Sequence, residues 1–361
     1  MSQKIKVAFI LPSLRPGGAE RVMSYIAQEL NREIFEVQLV ITGTEKDASY
    51  RIENTPTLFL NKPRVLAAFF PLFNFLKRHK PHIVISAISH LNTMMAVQSV
   101  YFRNIKFIGR EVNVLSVLKN VQQSKRYYPS FLTKYAYKLL DVIICQSKDM
   151  AADMMANYGV PQKKITVINN PISDKFKPKE SEANNNIPQF ITVGSLVNRK
   201  GHDRILKSLA LYSGDFHYTL LGDGSEREQV LSLAEKLGIK NKITHIPFTN
   251  DVAKYLKNST VFLQGSYVEG FPNALLESCA VGTPVLAFDA PGGINEIVEL
   301  GINGFIVNSE KEFADKLNQM TSMKWPPKEV SRSVFKKYDK KVIIQAYEEL
   351  FSTLHNKAIL S

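Results

Sequence analysis

Short runs of β-branched and aliphatic residues recur along the chain, separated by longer stretches whose apolar positions return every three or four residues. The first series is KVAFIL, VQLVIT, HIVIS, IKFIG, DVIIC and ITVIN; a second series follows with QFITVG, HYTLLG, KITHIP, TVFLQG, TPVLAF and GFIV. Near-continuous apolar runs, each followed by a helical period, predict parallel sheets covered by helices on both faces. Between the two series, PISDKFKPKESEANNNIP (171–188) breaks the pattern with Pro, Asn and charge and is expected to be a linker. The fold class is therefore α/β: two Rossmann-like doubly wound domains, residues 1–170 and 189–339, facing across a cleft. The last helical pattern, within 340–361, is placed to return to the first domain. In such sheets ligands sit outside the carboxyl ends of the strands.

Composition agrees with two globular cores: 361 residues, 45% hydrophobic and 22% charged. Cys145 and Cys279 have no metal-type spacing and read as buried thiols of a reducing compartment. The N-terminus runs from a short basic lead into a strand with no small-residue cleavage site, so no signal peptide is expected. The longest apolar stretch, Val65 to Leu76, is interrupted by Pro71 and Asn74 and falls short of the ~20 residues a spanning helix needs.

Charge is distributed unevenly. Residues 1–170 hold 23 basic and 11 acidic side chains, whereas 171–361 hold 23 and 22. Within 62–138 there are 13 basic residues against Glu111 alone, interleaved with aromatics in RVLAAFFPLFNFLKRHK and KRYYPSFLTKYAYK. That mixture suits an anionic membrane surface, where apolar side chains enter the acyl boundary and each Lys or Arg adds roughly 1 kcal/mol. Ordinary amphipathic helices with solvated lysines are the plainer alternative. Nucleic acid is not expected, because no zinc-finger spacing, RNA-binding signature or base-reading basic helix is present.

The densest chemistry lies in GSYVEGFPNALLE, where a loop leaves the strand TVFLQ and enters a helix near Pro272, a favoured first helical residue. Free amides and the positive dipole end of such a helix attract phosphate. Glu269 precedes the helix and Glu277 lies about one turn inside it, a spacing that suits two separate grips on hydroxyl groups. In VGSLVNRKGHD, Arg199 and Lys200 beside Gly201 offer cations that can neutralise a leaving diphosphate. Gly17 and Gly18 between the first strand and helix permit close backbone approach. Neither they nor LGDGSER completes a GxGxxG, which disfavours a nicotinamide-dependent dehydrogenase. Among the histidines, His90 after the strand HIVIS is the candidate cleft member, whereas His202 and His245 suit capping, packing or a pocket edge.

With GGAERV, INNP, VGSLVNRKG, GDGSER and EGFPNALLESCAVGTPVLAFDAPGGINEIVELGINGFIV on the page, the chain resembles, nearly end to end, the retaining glycosyltransferases of family 4. The resemblance implies the GT-B fold, Glu269 on the donor sugar and Glu277 on the ribose. It implies Lys200 on the diphosphate, assisted by the backbone of Gly270, Phe271, Pro272 and Asn273, with Gly17 and Gly18 near diphosphate and acceptor. Gly222, Asp223 and Gly224, with His245 and Pro247, would border the nucleotide base. Ser195 stands where many relatives carry Arg, and Arg199 is the candidate substitute. GREVN, with Glu111, stands where many relatives carry a cleft histidine. Glu111 and His90 are the first domain's candidate catalytic residues.

The function this resemblance implies is retaining transfer of a hexose or N-acetylhexosamine from a nucleotide sugar to a lipid-linked saccharide of a surface polysaccharide, the donor expected to be UDP-linked because the GREVN and PGGINEIV variants resemble those of enzymes using such sugars. It would take place at the cytoplasmic membrane's inner face. No metal or other cofactor is expected, there being no Asp-x-Asp and the resemblance implying a metal-independent fold. A sugar-nucleotide epimerase of the same fold and a non-catalytic nucleotide-binding membrane adaptor are the alternatives.

Overall fold

The computed structural model of the chain describes residues 3–15, 17–121, 130–182 and 186–359. The chain forms two compact units, one drawn from Met1–Val112, Ser124–Pro171 and Lys341–Ser361, the other from Asn113–Gln123 and Ile172–Lys340.

The first unit contains β1 (Ile5–Leu11), β2 (Phe35–Ile41), β3 (Thr57–Phe59), β4 (Ile83–Ala87), β5 (Lys106–Arg110), β6 (Val142–Cys145) and β7 (Ile165–Val167). They form one sheet in the order β3-β2-β1-β4-β5-β6-β7, every described pair parallel. Six strands coincide with the apolar runs of the sequence. The seventh, β3, is a three-residue edge strand, too short for its pattern to register. The chain reverses its winding between β1 and β4, so the loops after these strands border the crevice where such folds take ligands.

The terminal helix Lys340–Ile359 completes this unit rather than the one that precedes it in sequence. Tyr347 and Phe351 are fully buried. Phe351 meets Phe9 and Phe35 edge-on at 6.2 and 6.1 Å, and the Tyr347 hydroxyl accepts a 3.0 Å hydrogen bond from Arg110 Nε.

The second unit repeats the plan with β8 (Gln189–Val193), β9 (His217–Leu221), β10 (Ile243–Ile246), β11 (Val261–Gln264), β12 (Val285–Phe288) and β13 (Gly304–Val307), in the order β10-β9-β8-β11-β12-β13. Its winding reverses between β8 and β11.

Two boundaries differ from the sequence expectation. Residues 113–121, expected in the first domain, belong to the second unit: the Val114 amide donates to the Glu269 carbonyl at 3.4 Å. This segment carries the short helix Leu115–Val121, in which Leu115 and Leu118 are buried. Much of the expected linker is likewise built into the second unit. Ile172 and Phe176 join its core, and Lys179 Nζ donates to the carbonyls of Lys257 and Ser259 and to Thr283 Oγ1. Pro and charge mark an irregular backbone, but two apolar anchors and one capped lysine suffice to hold it. Residues 183–185 of that stretch lie outside the described residues.

Candidate functional site

The loops leaving β8 and β11 meet at the winding reversal of the second sheet, backbone against backbone. Gly201 has φ +59°, and a Cβ there would lie 1.8 Å from the Gly265 carbonyl oxygen, so only glycine fits. Arg204, in the helix His202–Leu211, clamps the second loop. Its Nε donates to the Gly265 carbonyl at 2.5 Å, its Nη2 donates to the Ser266 carbonyl, and its guanidinium lies 4.3 and 4.2 Å from the Tyr267 and Phe288 ring centroids. The Tyr267 amide donates to the Arg199 carbonyl at 2.8 Å and its hydroxyl reaches Asp203.

This clamp delivers Glu269 to Lys200. Glu269 is 4% exposed, and its Oε1 accepts from Lys200 Nζ (2.5 Å), Gln264 Nε2 (2.9 Å) and Ser266 Oγ (2.5 Å). Arg199 Nη1 stands 3.7 Å from Oε2. Burial pushes the Glu269 carboxyl up, but Lys200 and Arg199 outweigh it and hold the group below the usual carboxylate range. Burial lowers the Lys200 ammonium, opposed by Glu269. An ionised carboxylate and the Lys200 cation thus converge on a small cavity lined by Lys200, His202, Gln264, Ser266, Glu269 and Asn273 among others, with Arg199 approaching the carboxylate from outside that lining. The pair can grip hydroxyl groups through Oε2 and anionic oxygens through the cations.

The neighbouring residues expected at the site divide into those that line it and those that build it. The helix is Asn273–Ala280, with Pro272 at its N-cap rather than its first turn because its ψ of 86° is not helical. Asn273 lines the cavity, Gly270 is buried, and Glu277 is 8% exposed inside the helix. Phe271 points the other way: its ring packs edge-on against Tyr338 at 5.3 Å in the core, leaving only its backbone for a ligand. The Ser195 side chain is exposed while its carbonyl meets His202 Nε2 at 3.0 Å.

Gly222 and Gly224 serve loop packing. A Cβ at Gly222 would lie 1.9 Å from the Gly194 carbonyl oxygen and one at Gly224 2.3 Å from that of Leu196. Asp223 pairs with Arg227 at 3.6 Å on the surface, His245 Nε2 meets the Gly222 carbonyl at 2.8 Å, and Pro247 is exposed. Gln264, Ser266 and Arg204 were not singled out from sequence, because their roles depend on two loops meeting.

In the first unit Gly17 caps the helix Gly18–Glu29, but the space beside it is filled by the Glu20 carboxylate, 2.2 Å from where a Cβ would stand. Gly18 is exposed. His90 is half-buried just inside the helix Ser89–Ser99, and burial lowers its pKa. Glu111 is fully buried, so as folded it cannot touch a substrate.

The basic region shrinks by the same kind of finding. Arg110 is fully buried and Lys119 belongs to the second unit, while Lys125 and Arg126 lie outside the described residues. Arg64, Lys77, Arg78, Lys80, Arg103, Lys134 and Lys138 are exposed, with Phe70, Tyr101 and Tyr135 at 74, 68 and 66%. No described helix is long and apolar enough to cross a membrane.

Comparison with known proteins bears on both halves. Residues 16–176 match the family model described as Glycosyltransferase Family 4, and residues 173–342 the one described as Glycosyl transferases group 1. A Campylobacter jejuni protein is 25% identical over 85% of this chain and 87% of its own length. It is named N-acetylgalactosamine-N,N'-diacetylbacillosaminyl-diphospho-undecaprenol 4-alpha-N-acetylgalactosaminyltransferase. Among solved structures, Anabaena HepE in complex with UDP superposes with TM-score 0.80 at 19% identity, covering 97% of this chain and 100% of that one. The lipopolysaccharide outer core galactosyltransferase WaaB, in its apo form, superposes with TM-score 0.75 at 19% identity, covering 99% of each. Two sheets of one winding, a cation–carboxylate pair where the second reverses, and family models spanning 16–342 converge: the chain is a glycosyltransferase of family 4 with the GT-B fold.

Proposed function

We propose that the enzyme moves a hexose or N-acetylhexosamine from a UDP-sugar to a lipid-linked saccharide, with retention at the anomeric carbon and without a metal. The observation that carries this reading is Glu269 held ionised against Lys200 and Arg199 at the winding reversal of the second sheet. Three donors occupy Oε1, which leaves Oε2 with capacity to accept from a donor-sugar hydroxyl. Lys200 and Arg199 meet the charge that accumulates on the diphosphate, with Arg199 serving where many relatives use Arg at position 195. Glu277 grips the ribose, and Gly222 to Gly224 with His245 and Pro247 border the base. As the acceptor oxygen bonds to the anomeric carbon, the bond to the phosphate oxygen breaks and its electron pair leaves with the diphosphate. The acceptor's proton passes to a leaving phosphate oxygen.

UDP is favoured because the Anabaena neighbour holds it, and a polyprenyl-diphosphate saccharide because the Campylobacter relative is named for one. The exposed Phe70, Tyr101 and Tyr135 among exposed lysines and arginines support docking of the first unit on an anionic membrane, on the cytoplasmic side. Thermal shift against UDP-, GDP- and dTDP-sugars tests the donor; no stabilisation by any UDP-sugar overturns it. Flotation with vesicles containing or lacking anionic lipid tests the surface, and equal recovery from both removes it.

A further inference from the structure

We propose that Glu111 is a positioning residue for the acceptor half of the reaction, a buried carboxyl that fixes through Tyr137 and Asn92 how Ser89 and His90 are presented at the first sheet's winding reversal. The inference rests on the reading that the first unit binds the acceptor.

Glu111 follows β5 directly and is fully buried. Its Oε1 accepts from Asn92 Nδ2 at 2.9 Å and from the Tyr137 hydroxyl, and that hydroxyl lies 3.2 Å from Ser89 Oγ. Asn92 also accepts from Ser86 Oγ at 2.8 Å and donates to the Arg110 carbonyl at 3.0 Å. One carboxyl oxygen therefore ties down the helix Ser89–Ser99 at its first and fourth residues.

The turn it secures is strained. Ile88, between β4 and this helix, has φ +78°, a left-handed value that a β-branched residue adopts only when its surroundings impose it. Its carbonyl accepts from the amides of Leu91 and Asn92 at 3.0 Å. The two residues that follow, Ser89 and His90, are half-exposed beside the crevice between β1 and β4. Strain held in place behind such a crevice marks a turn whose exact shape matters to a ligand.

Among the described residues the carboxyl has no counter-ion. Its Oε2 has no hydrogen-bond partner among the described residues. Tyr137 from helix Ser130–Leu139, Asp153 from helix Lys148–Ala156 and Cys145 from β6 face it, and none is a cation. Neighbouring Arg110 spends its guanidinium on Tyr347 and Asn170 instead. Burial pushes the carboxyl up to about 7, against the hydrogen bonds from Tyr137 and Asn92. Near neutral pH its ionised form is the stronger acceptor for both donors and holds the turn tightest.

The test compares wild type with Glu111→Gln and, should that variant fold poorly, Tyr137→Phe, in membrane extract with UDP-sugar donors between pH 5.5 and 8.5. Expected is an acceptor KM raised about tenfold, the effect of one lost charge-assisted hydrogen bond, with donor KM unchanged. The wild-type rise in kcat/KM for acceptor through pH 7 should be missing from Glu111→Gln. Wild-type acceptor KM and pH profile in both variants would overturn the proposal and leave Glu111 a packing residue. A wild type that binds UDP-sugar yet transfers to no acceptor refutes the proposed function instead, which this control reads separately.

Discussion

Glu269 and Glu111 are both buried carboxyls at the carboxyl end of a central strand, in two sheets of the same winding, and their chemistry diverges. Glu269 faces Lys200 and Arg199, and those cations overcome burial and keep it charged. Glu111 faces Tyr137, Asn92 and Asp153 and, among the described residues, no cation, and burial wins, raising it to about 7. Burial alone does not determine ionisation; the sign of the nearest charge does. In the roles proposed for them, a donor site gripping hydroxyls and diphosphate wants fixed charge, whereas a carboxyl bracing a turn can titrate.

The sharpest way to break the comparison is to neutralise Glu269. Glu269→Gln is expected to cut transfer about 10³-fold, the scale of losing one placed electrostatic contact, while circular dichroism reports an intact fold. Turnover within a few-fold of wild type would remove Glu269 from the site. Next comes the joint that brings Lys200 to Glu269: Gly201→Ala must accommodate a Cβ 1.8 Å from a carbonyl oxygen at positive φ. A loss of about 3 kcal/mol in urea unfolding is expected from the forced backbone shift and strain.

Glu111→Gln sharpens the other side. A carboxyl raised from about 4.5 to about 7 on folding contributes stability that is fully present below pH 4.5 and lost as pH rises through 7. Wild type should therefore weaken relative to Glu111→Gln across that window by roughly 2–3 kcal/mol. Parallel stability profiles for the two proteins would deny that Glu111 titrates there. The smallest effect is expected from Ser266→Ala, which takes one of three donors from Glu269 Oε1. A loss of about 1 kcal/mol of transition-state stabilisation, roughly five-fold in kcat, follows for a single hydrogen bond, and Ser266→Thr should recover most of it.

The Glu269-x7-Glu277 spacing, Lys200 beside Gly201 and twelve of the thirteen strands were legible in sequence, because each is a local pattern: a period, a glycine at a turn, a fixed offset along a helix. The edge strand β3 was too short to register. Gln264, Ser266 and Arg204 carry no local signal, since they matter only once the loops after β8 and β11 touch. Arg110 looked like surface charge and Glu111 like a cleft acid, yet both are fully buried, because charged residues look alike in sequence whether solvated or enclosed.

The sequence by itself therefore determined the alternation of strand and helix, the paired-domain plan and the residue types of the proposed donor site. Tertiary structure decided that residues 113–121 join the second unit and the terminal helix the first, that Ile88 is held at positive φ, and which carboxyl keeps its charge. Periodicity is written in neighbours along the chain, whereas desolvation and the distance between charges are set by residues brought together from far apart.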